Sequence, residues 1–324
     1  MRVLNAIYDL RISPASFDFI TFLISAETER ANRGFEKIKL IILKNYSKDG
    51  FRIDNFRGYA QNTQFFYNVM LQSITLFPNI NTFHYCELDE LPNGINSSNV
   101  FPADWTFSEP TEGFLARTFV HAKRDGKLVE SLTVPSYAME ALDSFLHASE
   151  KKEIITLTMR EIERDNPEGK RSIIVDSWSK YFDFLYCNTH FMPVVIRDWS
   201  RMFYDRIFSS AVESPIFSDN IAIRAALYQR ASLNFFKVNG PASLSLFNQS
   251  SISVVFFEPD SSPSTSKQWY KSRFDMVHGD QFPGLGANSL YFWGPDTIEN
   301  IVACHNMMIK RSKTQQTEEP AGRR

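Results

Sequence analysis

The chain has 324 residues, 43% of them hydrophobic and 22% charged, which is the composition of a soluble globular protein of about two domains. Basic residues number 35 and acidic ones 37, so the formal net charge of −2 gives no global electrostatic pull toward a nucleic acid. The 29 phenylalanines predict large aromatic cores, and only 13 glycines argue against a flexible low-complexity chain.

Strand and helix signals alternate from the start. Val3 to Tyr8 is an apolar run of strand length. Pro14, Ala15 and Ser16 break it, and a helix pattern runs from Phe17 to about Asn32 with Ser16 as its expected cap. Gly34 reads as the helix stop, and Ile38 to Leu43 as a second strand. Tyr59 to Leu76 again has helical spacing, and Thr82 to Cys86 reads as a strand. Leu91 to Gly113 is rich in Pro, Asn and Ser and reads as loop.

A helix pattern over Ser136 to His147 ends at a charged stretch, Glu150 to Glu153, and the alternation restarts with the strand Ile154 to Met159. Further strands are expected at Met192 to Ile196, Leu233 to Val238 and Ile252 to Phe257. Ser218 and Asp219 read as the cap of a helix containing Ile223 and Leu227, and Gly240 to Phe247 as a short helix. A last helix, Asp296 to Ile309, is a candidate to return to the first domain, and the polar tail from Lys313 reads as disordered. The expected organisation is 1–149, 150–312 and a tail, 313–324. Each half alternates β and α, which predicts two Rossmann-like, doubly wound α/β domains facing a cleft.

Cys86, Cys187 and Cys304 lie far apart with no CxxC pair, which excludes a zinc ribbon and, without a signal peptide, fits a reducing cytoplasm. The longest apolar candidate, Phe17 to Ala26, is broken by Asp18, Thr21 and Ser25 and falls short of the ~18 residues of a membrane span. Transmembrane and secreted readings fall away; peripheral contact with the inner membrane face does not. The histidines have no metal-ligand spacing, no DxD triplet exists, and Walker A and GxGxxG patterns are absent, so no metal and no cofactor is expected.

The most informative stretch runs from Arg224 to Ser245: helix, strand, then the tight turn Asn239, Gly240, Pro241 opening a new helix. Pro241 suits a first helical turn, and Gly240 permits close approach of a ligand. Ala242 and Ser243 are then expected to present free backbone N–H groups to a phosphate. An ordinary βα turn has the same composition. Arg160, at the end of a strand, and Arg171 behind it are candidates to grip a diphosphate, against a surface salt bridge of Arg160 with Glu161 or Glu163. Arg197 and Asp198, after another strand, read as a solvated loop pair or, like Arg160, as a cleft-facing group, and Glu258 as a ribose acceptor or a plain strand-end carboxylate. In the first half Asp9, Arg11, Ser13, Ser16 and Asp18 crowd one loop. Arg11, Arg52, Arg57 and Tyr59 are candidates for an acceptor side, and Trp105 and Trp199 for ring stacking, while Trp178 reads as core.

The series Ala225 to Ala231, Asn239 to Pro241, Leu244 and Val254 to Pro259 resembles, in order and spacing, the nucleotide-sugar-binding domain of heptosyltransferase-like GT-B glycosyltransferases, over Ile154 to about Ile309. The resemblance implies the two-domain GT-B fold, with a nucleotide-activated sugar on the second domain at Arg160, Arg171, Asn239, Gly240, Pro241, Ala242, Ser243 and Glu258. It implies a glycan or lipid-linked acceptor on the first domain, in surface polysaccharide assembly. The family's aspartate base opens the first helix, the place that Asp18 holds here; the longer loop keeps Asp9 as a second candidate. The family's histidine after Gly-Pro is Ser243 here, which points to a different sugar. Two other readings stand beside it: a nucleotide-sugar epimerase on the same fold, and a non-catalytic nucleotide- or sugar-binding assembly protein.

Overall fold

A computed structural model describes residues 1–46, 50–52, 58–111, 116–147, 153–161, 171–260, 265–282 and 288–318. The chain divides into two compact units, Met1–Pro135 and Ser136–Arg324.

In the first unit, β1 (Val3–Asp9), β2 (Lys37–Leu43), β3 (Ile80–Cys86) and β4 (Val100–Phe101) form a parallel sheet in the order β3-β2-β1-β4. The apolar run of β1 is buried on both sides, as a strand covered on two faces must be. One cover is α1 (Asp18–Asn32), whose residues 19 to 28 are all buried, Glu27 included. Glu27 is tolerated there because Arg30 donates to it at 2.6 Å and Asn79 at 3.3 Å. Gly34 ends the α1 region with φ +67°, a conformation that favours glycine. The expected helix from Tyr59 is a composite: α2 (Tyr59–Phe65), a π-helical turn (Phe66–Leu71) and a 3-10 turn (Ile74–Leu76). Within the expected loop 91–113 sits β4, too short to carry a period. After it comes α3 (Ala116–Arg124), packed on α1.

In the second unit, β5 (Glu153–Thr158), β6 (Phe191–Ile196), β7 (Val212–Glu213), β8 (Leu233–Lys237), β9 (Ser253–Phe257) and β10 (Ser289–Trp293) form a parallel sheet in the order β10-β9-β8-β5-β6-β7. The helices are α4 (Ser136–Leu146), α5 (Val175–Asn188), α6 (Pro215–Asp219), α7 (Ile221–Arg230), α8 (Ala242–Leu246), α9 (Lys267–Phe274) and α10 (Ile298–Glu318). Helix α7 is capped by Asn220, whose Oδ1 accepts from the Ile223 N–H at 2.9 Å, while Ser218 and Asp219 belong to α6. The two sheets are separate, as the restart of the alternation at Ile154 predicts.

The core of this unit is aromatic. Trp178, Tyr181 and Phe182 of α5 meet Phe235 of β8 and Phe256 of β9. Ile301, Cys304 and Met308 of α10 close the same cluster, so the last helix packs in the core of the second unit. Lys313 does not end α10, which continues to Glu318; the polar residues there are mostly adequate helix formers. Residues 319–324 lie outside the described ones. No helix among the described residues is long and apolar enough to cross a membrane.

His305 of α10 lies 5.5 Å from Phe191, ring to ring, and its Nδ1 shares a 2.6 Å hydrogen bond with the Tyr181 hydroxyl. Burial lowers its pKa below the ordinary 6.5. The unfolded chain therefore takes this proton first as pH falls. The stability carried by the neutral ring is whole above pH 6.5 and is lost as pH drops through the lowered folded value. Melting curves from pH 7 to about 5 should fall more steeply for the parent than for His305→Gln, and parallel curves would remove His305 as the cause.

Candidate functional site

In an open parallel sheet, ligands bind at the carboxyl ends of the strands where the strand order reverses. Each unit has one such point: β1/β4 in the first and β5/β8 in the second.

At the first, Asp9 ends β1 and is fully buried. Arg11 donates to it with Nε at 2.9 Å and Nη2 at 2.5 Å, and the Trp105 indole N–H at 3.2 Å. The Asp9 hydrogen bond raises the pKa of Arg11 further. The Arg11 guanidinium also reaches the Phe107 carbonyl at 3.2 Å. This arrangement anchors the β1–α1 loop across the crevice, with Trp105 buried as a hydrogen-bond donor and not exposed as a stacking ring. Tyr8 adds a 2.6 Å bond to the Pro14 carbonyl, and Arg52 a 2.9 Å bond to the Ile12 carbonyl. Ser16 sits one place before the cap position, and its hydroxyl accepts from the Asp18 N–H at 3.1 Å. Asp18, the first residue of α1, is half-buried, unlike Asp9. Tyr59 opens α2 and is exposed. Arg57 lies outside the described residues.

At the second point, β5 and β8 are registered by a buried polar pair: Thr156 donates to Asn234 Oδ1 at 2.7 Å, and Asn234 Nδ2 donates to the Tyr228 and Ile252 carbonyls. Beyond Thr158, the chain carries Arg160; beyond Lys237, it carries Asn239, Gly240 and Pro241. Asn239 Nδ2 reaches the Thr158 carbonyl at 3.4 Å, so the two strand ends meet. Arg171, distant in sequence, donates from Nη2 to the Val238 carbonyl at 2.9 Å and is 9% exposed. The charges of Arg160 and Arg171 both act on the Tyr270 hydroxyl, whose pKa burial pushes up to about 12. Two guanidinium groups and the Asn-Gly-Pro turn thus share one end of the sheet.

The amides at this turn differ from the expectation. Ala242 N–H is bonded to Asn239 Oδ1 at 3.1 Å, and Ser243 N–H to the Gly240 carbonyl at 3.1 Å. The Asn239 side chain caps the turn, as asparagine does when a short polar side chain can reach back to the backbone. The Ser243 hydroxyl also donates to the Gly240 carbonyl, at 2.8 Å. These N–H groups are therefore not free, and the positive groups here are the two arginines.

Arg197 and Asp198 are also corrected. Arg197 is 6% exposed, and both its Nε and Nη2 donate to Glu161, at 2.7 and 2.5 Å, with Glu213 at 3.2 Å from Nη1. Carboxylates from two flanking strand ends converge on it, so it is a buried pair and not a solvated one. The same bonds occupy Glu161, which removes it as the salt-bridge partner proposed for Arg160. Asp198 accepts from the Glu161 N–H at 2.7 Å; burial raises its pKa, against that bond and the charge of Arg160. Glu258 is an ion-pair partner of Lys237. Trp178 is fully buried, as expected, and Trp199 donates to Asp219 at 3.0 Å.

Sequence reasoning passed over Lys237 and Asp296. Lys237 is 2% exposed and donates to Asp296 Oδ1 at 2.7 Å; Asp296 Oδ2 accepts from the Trp178 indole at 2.7 Å and the Ile174 N–H at 3.0 Å. A lysine closing the run Leu233 to Val238 was the available signal, since a buried ammonium requires a partner. Arg224 was passed over as well. It is buried and donates to the Phe217 and Ser218 carbonyls, and burial lowers its pKa. Among the described residues, no group of three or more His, Cys, Asp or Glu is placed to hold a metal ion.

No family model matches the chain, and no curated protein matches its sequence. Solved structures do match its fold. A family 9 glycosyl transferase from Veillonella parvula aligns over 96% of this chain and 97% of its own, with TM-score 0.55 at 8% identity. The ADP-heptose LPS heptosyltransferase II of E. coli aligns over 97% of this chain and 100% of its own, with TM-score 0.50 at 7% identity. The chain has the fold of these enzymes: two Rossmann-like α/β units, each a parallel sheet with helices.

Proposed function

We propose that the chain is a glycosyltransferase. It moves a sugar from a nucleotide-activated donor to a glycan or lipid-linked acceptor, in surface polysaccharide assembly on the cytoplasmic side of a membrane. The observation that carries this reading is the convergence of Arg160, Arg171 and the Asn239-Gly240-Pro241 turn at the β5/β8 switch point. The fold shared with glycosyltransferases supports it.

The chemistry requires two things: a base for the acceptor hydroxyl and positive charge for the departing diphosphate. Arg160 and Arg171 supply the second, as guanidinium groups matched to phosphate oxygens, with no need for a divalent ion. Asp18 supplies the first. Asp9, held by Arg11 and Trp105, serves instead to fix the loop that presents Asp18. Glu258 remains at the donor site through its partly exposed carboxylate, 35% accessible beside Lys237.

Calorimetry with ADP, UDP and GDP tests the donor site. At least one should bind, and Gly240→Val should weaken it by about tenfold or more, because a branched side chain at the turn would take space beside the strand ends where the arginines lie. Unchanged affinity in a folded variant would remove the turn from the site. Donor turnover without any acceptor would replace a transferase with an epimerase.

A further inference from the structure

The carboxyl edge of the first sheet carries a second cluster, beside the β1–α1 loop and made of rings. Tyr85, near the end of β3, packs on Phe66 with centroids 4.6 Å apart. Phe66 lies 6.1 Å from Phe51 and 5.3 Å from Tyr67, and Phe51 lies 6.5 Å from Tyr59. Phe51 and Phe66 are buried at 6% and 3% exposure, so they are the floor. Tyr59 and Tyr67 stand on it with 59% and 58% of their surface open. Gly50 keeps the Tyr85 hydroxyl clear: its φ is +74°, and a Cβ there would come 3.3 Å from that oxygen. Among the described residues, Lys44 touches the cluster: it sits 4.9 Å from the Tyr85 ring centre, and its ammonium is 4.0 Å from Glu87.

Tyrosine combines a flat apolar face with one hydroxyl and few rotatable bonds, so it binds at small entropic cost. A pyranose matches that surface, with C–H groups on its face and hydroxyls at its rim. The charge argues the same way. Lys44 is offset by Glu87, and the nearby Arg11 and Arg52 are engaged by Asp9 and the Ile12 carbonyl. Among the described residues, the cluster therefore offers stacking without a basic pocket for phosphate.

We propose that Tyr59, Tyr67 and Tyr85 form a stacking platform for a neutral pyranose unit of a glycan chain. As an acceptor subsite it rests on the glycosyltransferase reading; as a glycan-binding surface it stands without it. The platform recognises an uncharged saccharide segment and not a phosphorylated sugar or an anionic headgroup.

The test is titration of the full chain with cellotetraose, maltotetraose and N-acetylated chitotetraose, followed by saturation-transfer NMR, with glucose 1-phosphate as the anionic probe. At least one tetrasaccharide should bind. Its affinity should fall by about tenfold or more in Tyr59→Ala/Tyr67→Ala and stay within about threefold in Tyr59→Phe/Tyr67→Phe, which keeps the rings. Nucleoside diphosphate affinity should not change in either pair. Both side chains are exposed, so melting curves should match the parent; if the alanine pair unfolds, Tyr59→Ala alone replaces it. Three results overturn the platform: no tetrasaccharide binds, the alanine pair binds as well as the parent, or glucose 1-phosphate binds more tightly and is lost in Lys44→Gln. Tetrasaccharide binding with no nucleoside diphosphate binding would end the glycosyltransferase reading and leave the platform standing.

Discussion

Asp296→Ala should cost the second unit about 3–5 kcal/mol, the loss typical of removing one partner from a buried ion pair. Asp296 is fully buried. Its two oxygens accept from the Lys237 ammonium, the Trp178 indole and the Ile174 N–H at 2.7, 2.7 and 3.0 Å. Truncation leaves a 2% exposed lysine with Glu258 as its remaining acidic hydrogen-bond partner among these, and two N–H groups without an acceptor. Urea unfolding followed by near-ultraviolet circular dichroism reads the effect, because Trp178 lies in the core that should loosen. Asp296→Asn, which keeps an acceptor but not the charge, should lose less. Lys237→Met/Asp296→Leu should recover only the part of the loss due to the lone buried charge, since it leaves the Trp178 and Ile174 N–H groups without an acceptor. If Asp296→Ala stays within about 1 kcal/mol of the parent, the network contributes little and the aromatic packing alone holds this corner.

Asp18→Asn should lower transfer by roughly 10²- to 10⁴-fold at saturating donor while nucleotide affinity barely moves. The amide keeps the size of the side chain at the start of α1 and removes the basic oxygen. A carboxylate that merely complements the helix dipole would give the opposite pattern: normal turnover and a loss of about 0.3–1 kcal/mol in stability. Asp9→Asn separates the two aspartates. Its carboxylate is buried between Arg11 and Trp105, so its loss should appear first in the melting curve. Normal turnover in Asp18→Asn with loss in a still-folded Asp9→Asn would transfer the role to Asp9.

What could be read along the chain was what adjacent residues encode. The runs Val3 to Tyr8, Ile154 to Met159 and Ile252 to Phe257 are mostly apolar, broken only by Asn5, Thr156, Thr158 and Ser253, and each became a buried strand. Breakers such as Pro14 and Gly34 placed the first helix to within a residue or two. The α/β class, the two separate sheets and the Asn239-Gly240-Pro241 turn between β8 and α8 were visible in this way. The two-residue strands β4 and β7 were not, because so short an edge has no period to read.

Only the tertiary structure decided which distant residues meet. Strand order reverses at β5/β8 and at β1/β4, and that reversal is a property of the whole sheet. It brings Trp105 to Asp9 and Arg171 to the Val238 carbonyl. The side-by-side order of β5, β6 and β7 turns Arg197 from an expected loop charge into a buried partner of Glu161 and Glu213, and that of β8, β9 and β10 brings Lys237 to Asp296. Each of these is an electrostatic contact that becomes strong only where burial removes water, and neither the partner nor the burial is written in the residues beside it. The sequence determined the elements and the side chains available at their ends; the crossover topology determined which of those ends lie together.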